Sequence, residues 1–250
     1  MSSKLAKICF PLLGVATFVA AWDVAACLKP TLLPHSWQVG AAVGELVADP
    51  QIRADFWRTI GRTLLALAIA VGAGVPLGLT IGAAKPLNRM FSGPLDFLRS
   101  LPGFALLPMW LSLFKSGDTA RLAMVAFGAG LLVVANTAFG VAHIRRERVE
   151  VAQVYGASRG FILLNVIARE VLPQVVDGMR LAISLGLVLM IVGEIMLGAR
   201  GVGTRVNDTL MGWDLPQMYA LLFMVGVLGY LFNLAGKAAT SRLTAYGKHL

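Results

Sequence analysis

Residues 61–82 read GRTLLALAIAVGAGVPLGLTIG, in which Arg62 is followed by an unbroken run of uncharged residues to Gly82. About 20 apolar residues in a helix cross a hydrocarbon layer of about 30 Å, so this stretch reads as a membrane span running over 59–84. Working outward, runs of similar length and character lie at 8–26, 95–114, 120–142, 175–197 and 218–239. The pattern predicts an all-α integral membrane protein with six transmembrane helices. The third run contains Pro102 and Pro108. Each removes a backbone donor, so that span is predicted to be kinked.

Composition supports the same class. Of 250 residues, 57% are hydrophobic and only 14% charged, with 27 glycines besides. Soluble domains carry roughly 25% charged residues, and a soluble fold of this size leaves roughly a quarter to a third of its surface in water. A water-soluble enzyme, a disordered chain and a disulfide scaffold are excluded. The 22 Lys and Arg against 13 Asp and Glu give a net charge of +9. The basic residues are scattered, which argues against nucleic acid and for topology signals that meet anionic membrane lipid. Cys9 and Cys27 offer neither a CxxC pair nor metal-ligand spacing, and both are expected to be buried thiols.

Orientation follows from the charged segment 143–170. It carries Arg145, Arg146, Arg148, Arg159 and Arg169 with Glu147, Glu150 and Glu170, which prefers the cytoplasm. Both termini are then expected inside. Residues 29–58 fall outside, where Val39, Val43, Leu46 and Val47 recur at helical spacing and predict a short amphipathic helix on the surface. Lys4 and Lys7 before an apolar run resemble a signal peptide, and 24–27 resembles a lipoprotein cleavage site. Trp22 and Asp23 interrupt that site, so a retained helix is expected. The chain divides into 1–58 (first helix and outer segment), 59–239 (a core with a cytoplasmic loop at about 143–170) and a cytoplasmic tail, 240–250.

Residues 150–173, EVAQVYGASRGFILLNVIAREVLP, predict a helix from near Glu147 to Tyr155. A turn at Gly156 follows, since glycine tolerates positive φ, and then a second helix over about 161–170. Small residues at Ala152, Gly156, Ala157 and Ser158 would let a partner surface approach closely. This pattern, EVA-xxx-GA with LP after a spacer, resembles the cytoplasmic EAA loop of binding-protein-dependent ABC importer permeases. The likeness extends over about 33–234. It includes the opening stretch, LRSLPGFALLPMW at 98–110 and LPQVVDGMRLAISLGLVLMIVGE at 172–194, which look like the nitrate/sulfonate/taurine branch.

The resemblance implies a type I importer permease-like fold in a bacterial inner membrane, working as a dimer, with homodimer the simpler prediction. Two ATPase subunits would dock on a coupling surface of Glu147, Arg148, Glu150, Ala152, Tyr155, Gly156 and Ala157. A periplasmic or lipid-anchored solute-binding protein would deliver a sulfonate, nitrate or related small organic anion. The chain departs from the family pattern where Ala168-Arg169 replaces the first LP of the loop and where Gly103 replaces a second proline. No GxxxxGK[ST] loop is present in the sequence. The chain is therefore expected to bind no cofactor of its own, ATP and Mg being used by the partner ATPase.

Ionisable groups within a membrane are site hypotheses by default. Glu194, near the outer end of the fifth span, reads as a gate or vestibule group or, equally, as an interfacial carboxylate or a helix–helix hydrogen bond. Arg99 and Arg180 could attract an anionic substrate or snorkel to water. Asn136, Thr137 and Ser184 could line a path or bond between helices. Gly74, Gly78 and Gly82 share a helix face that suits either a dimer contact or packing within one subunit. Gly201 and Gly203, with Asp208, Met211, Trp213 and Asp214, suggest a receptor-facing outer loop. A stand-alone secondary transporter or channel is the alternative, but no internal repeat is evident. A membrane enzyme is disfavoured because His35, His143 and His249 are scattered.

Overall fold

The computed structural model describes the backbone of residues 2–144 and 146–247, and their side chains except at 2–9, 11, 146 and 239–247. Arg145 and the side chains of Lys4, Lys7, Cys9, Arg146 and the expected tail lie outside that description. Among the described residues the chain is helical throughout, in the order α1 (Ser2–Leu28), α2 (Ser36–Ala48), α3 (Pro50–Ala83), α4 (Lys85–Ser100) and, after a 3-10 turn at Gly103–Leu106, α5 (Leu107–Phe114). Then come α6 (Gly117–Ala142), α7 (Arg146–Val154), α8 (Arg159–Phe161), π-helical turns at Ile162–Ile167, α9 (Ala168–Glu170), α10 (Leu172–Leu197), α11 (Val202–Met211) and α12 (Leu215–Gly247).

Four described helices are long and apolar enough to cross a membrane: Pro50–Ala83, Gly117–Ala142, Leu172–Leu197 and Leu215–Ala238. The run at 95–114, expected as one kinked span, is instead a broken pair, α4 and the Gly103–Phe114 segment, bent by 94°. Leu101 and Pro102 take extended backbone there, so the helix ends outright. The run at 8–26 falls in α1, whose described apolar part is Leu12–Leu28. The described residues thus show four continuous spans and one broken one, and the remaining expected span falls in α1, part of which lies outside the described side chains. Exposed Leu64, Leu65, Ile69 and Leu77 on α3 form the kind of outward apolar face that lipid covers.

The core is α3, α6 and α10, in a register that the small residues dictate. A Cβ on Gly74 would lie 3.0 Å from Val133, one on Gly78 2.5 Å from Thr137, and one on Gly82 2.5 Å from Val141. Both series rise together, so α3 and α6 run parallel, and the glycine face packs within the subunit. α10 runs antiparallel to α6, with Gly178 against Asn136 and Gly193 against Arg121. One end of the bundle therefore carries the α7–α9 elbow, and the other carries the start of α3, the end of α10 and α11.

Three smaller differences concern the entry to this core. α3 starts at Pro50, nine residues before the expected span, because Asp49 caps it by accepting from the Gln51 amide at 2.7 Å. Trp22 and Asp23 tie α1 to α2: the Trp22 indole donates to the Pro34 carbonyl at 2.9 Å, and Asp23 accepts from the Ser36 amide and hydroxyl at 2.8 and 2.7 Å. Cys27, expected buried, is exposed on α1, a helix whose described contacts with the bundle include Trp22 on Tyr219 and the buried Ala26.

Candidate functional site

The elbow is built by backbone conformation. α7 ends in a left-handed turn at Gly156, φ +75°. The Gly156 and Ala157 amides donate back to the Gln153 and Ala152 carbonyls at 2.9 and 3.0 Å, closing the helix C-terminus as glycine-led caps do. Ser158 then caps α8 by accepting from the Phe161 amide. Ile162, Ile167, Val171 and Val175 pack against Leu79 of α3 and Val141 of α6, so the elbow is seated on the ends of all three core helices.

The expected coupling residues divide into two sets. Glu147, Glu150, Tyr155 and Gly156 lie on the exposed side. Ala152 and Ala157 instead pack inward on the Ile162–Val175 cluster, because their small side chains fill the angle of the elbow. Arg148 is exposed and ion-pairs with Glu170 across the elbow, which braces α7 on α9. Val151 and Val154 were not singled out in the sequence, yet Val154 and Tyr155 are each 86% exposed, and Val151 joins them. Charge pattern gave no signal for these apolar groups. A cleft of about 550 Å³ separates Glu150 and Gln153 from Lys85, Asn88 and Arg89 at the α3–α4 turn.

At the opposite end Glu194 is fully buried. Its carboxylate accepts from the Thr59 hydroxyl at 2.9 and 3.0 Å and from the Gly203 amide at 2.9 Å. The Thr59 oxygen in turn accepts from the Val202 amide at 3.1 Å. Glu194 thus caps the N-terminus of α11, where helix dipole and free amides favour a negative group. Arg62 stands 3.6 Å from Glu194 and 3.1 Å from Asp118, and Asp118 also pairs with the buried Arg121. Two carboxylates and two guanidinium groups therefore balance at the ends of α3, α6 and α10. Thr59, Arg62, Asp118 and Arg121 were not expected here.

That cluster relocates two of the six residues expected to face a receptor. Gly201 and Gly203 are buried: a Cβ on Gly201 would lie 2.2 Å from the Glu194 carboxyl, and one on Gly203 2.4 Å from the Ile191 carbonyl. Their lack of side chains admits Glu194, and they present nothing outward. Asp208 and Trp213 remain exposed, with Trp213 in a left-handed conformation (φ 58°) at the end of α11.

The residues considered for a translocation path are only partly gathered. Arg99 and Asn136 line one cleft of about 490 Å³ between α4 and α6, together with Ser92, Asp96 and His143. Arg99 is held by Asp96 at 2.5 Å, and the Asn136 amide donates to its own helix at Leu132. Arg180 and Ser184 lie on α10, outside that cleft. Arg180 stands 3.9 Å from Asp177, and Ser184 bonds back to the Arg180 carbonyl. Thr137 is buried against Gly78, and its hydroxyl has no partner among the described residues.

A helical bundle with a projecting elbow at one end and a capped, charge-balanced closure at the other has the build of a multi-pass membrane transport subunit. Residues 74–244 match the family of binding-protein-dependent transport system inner membrane components, and the chain belongs to it. The taurine transport system permease protein TauC of Escherichia coli is 26% identical over 93% of this chain and 87% of its own length. The nitrate import permease protein NrtB of Leptolyngbya laminosa is 26% identical over 90% and 81%. The bicarbonate transport system permease protein CmpB of Synechococcus elongatus is 27% identical over 92% and 87%. The fold is that of the permease in inward facing MetNI methionine ABC transporter structures, with a TM-score of 0.68 at 19% identity, covering 76% of this chain and 94% of that one. The chain is a transmembrane permease subunit of an ABC importer, which sets aside the stand-alone transporter.

Proposed function

We propose that two copies of this chain form the conduit of an importer for a small oxyanion, and that separate ATPase subunits drive it by docking on the α7–α9 elbow. The observation that carries the reading is the elbow itself, which holds Val154 and Tyr155 out at 86% exposure on a glycine-locked turn. Apolar groups held rigidly in that way suit a protein partner, since ordering costs little on binding. The elbow end is then cytoplasmic, as its arginine-rich segment favours. ATP is hydrolysed, with Mg²⁺ as its cofactor, on the partner subunits. A displaced elbow moves the ends of α3, α6 and α10 together, because Ile162 and Ile167 pack on Leu79, Val141 and Val175.

The substrate class rests on two supports. The relatives are named for taurine, nitrate and bicarbonate, all of which present an oxyanion. The cleft shared by Arg99 and Asn136 offers a cation and an amide suited to such a group. Delivery by a periplasmic or lipid-anchored receptor, docking near the exposed Asp208 and Trp213 at the far end, completes the assembly. Co-purification with the ATPase subunit of the importer tests the elbow. Gly156→Val and Tyr155→Asp should each abolish stoichiometric association while the permease still inserts and folds. Undiminished association in both variants, or cargo transport by the permease alone in liposomes, would overturn the reading.

A further inference from the structure

At the end of the bundle opposite the elbow, α3 and the α10–α11 connection border a third cleft of about 370 Å³, lined by Pro50, Gln51, Ala54, Asp55, Arg58, Arg200 and Arg205. We propose that this cleft is a binding site for a phosphate- or sulfonate-type oxyanion, held by Arg58, Arg200 and Arg205 and organised by the buried Asp55. Two guanidinium groups, of Arg58 and Arg205, converge there on the Asp55 carboxylate and a third, of Arg200, lines the same cleft, which leaves two positive charges uncompensated.

The site is built from within. Asp55 is 2% exposed, and each of its oxygens is committed to a different element. Oδ1 accepts from Arg58 Nη1 at 2.6 Å within α3, and Oδ2 accepts from Arg205 Nε of α11 at 2.7 Å. Arg205 Nη2 also donates to Gln51 at 3.3 Å. Two forks are thus fixed by one edge while their remaining N–H groups stay available, the geometry in which arginine binds oxyanions through paired donors. Arg200 is held by its backbone, whose carbonyl accepts from Arg62 Nη1 at 2.6 Å. Its guanidinium has no partner among the described residues.

Position narrows the source of the anion. Arg58 precedes Thr63, where the apolar face of α3 begins, by about 7.5 Å of helix rise. That is the depth of a headgroup layer of roughly 5–8 Å on each side of the hydrocarbon. Trp57 beside it is 71% exposed, as tryptophans at that level are. The phosphate of an anionic lipid and a free oxyanion in solution share the chemistry that the arginines read. The proposal is independent of elbow docking and of the Arg99 cleft.

The test uses the full-length permease in neutral detergent, followed by thermal unfolding and native mass spectrometry. Phosphatidylglycerol is titrated against phosphatidylcholine, and inorganic phosphate and methanesulfonate against chloride at matched ionic strength. A saturable shift with phosphatidylglycerol alone identifies a lipid site, and one with phosphate or methanesulfonate identifies a free-ion site. Either supports the proposal if Arg58→Gln/Arg200→Gln weakens half-saturation by about tenfold or more. Arg200→Gln alone carries the test if the double variant fails to fold, since that side chain makes no internal contact to lose. No saturable response, an equal response in the variants, or an equal loss in Arg53→Gln outside the cleft would overturn it.

Discussion

Glu194 illustrates how a buried charge is held in this protein. Its carboxylate sits between the Thr59 hydroxyl, the Gly203 amide and Arg62, so removing it strands the buried Thr59 and Gly203 donors and leaves Arg62 with Asp118 alone as counter-charge. Truncating one member of a buried charged set typically costs about 3–5 kcal/mol. Glu194→Ala should therefore lower the thermal unfolding midpoint in detergent far more than Glu194→Gln, whose amide oxygen can still accept from Thr59 and Gly203. Gly201→Ala should destabilise through overpacking, by about 1–3 kcal/mol, because its Cβ would fall 2.2 Å from that carboxyl. Equal midpoints for the two Glu194 variants would show that acceptance from Thr59 and Gly203 is not what the pocket is built around. The sequence marked Glu194 because a lone acid in a span must have a reason. It could not name Thr59, 135 positions away, and it placed Gly201 and Gly203 on an outer surface because a GxG offers no sign of what it packs against.

Among the elements, the α3–α6 pair was the most legible. Glycines four apart define a face on any helix, and the only open matter was which partner the face meets. The parallel register answers it: a Cβ on Gly78 would lie 2.8 Å from the Val134 carbonyl and one on Gly82 2.7 Å from the Ala138 carbonyl. Backbone cannot swing aside as a side chain can. Gly78→Ala and Gly82→Ala should each cost about 1–3 kcal/mol. Gly72→Ala, with open space around it, should be neutral or gain up to about 1 kcal/mol from helix propensity. Thermal midpoints of the three variants check this ordering, and a Gly72→Ala loss as large as the others would contradict the packing. The elbow was legible through Gly156, whose turn the sequence anticipates, whereas the Arg148–Glu170 brace spans 22 positions that only the fold closes. The 94° break between α4 and α5 was read as a kink, since two prolines say that a helix is interrupted and not by how much.

At the scale of the whole molecule, the same three helices carry the elbow cluster at one end and the Glu194 cluster at the other. The cleft proposed for substrate lies alongside them, between α4 and α6. Arg99 is the cation placed in that cleft, and Asp96 at 2.5 Å orients it without burying it. Arg180, the other cation considered for substrate, stands apart on α10 beside Asp177. In membranes or proteoliposomes carrying the complete importer, Arg99→Gln should reduce oxyanion uptake by about tenfold or more, the weight of one charge-assisted contact. ATPase association should be retained, because the elbow is untouched. Arg180→Gln should leave uptake near the wild-type rate. If instead Arg180→Gln alone silences uptake, the anion passes along α10, and the α4–α6 cleft is a groove for lipid or for the second copy of the chain.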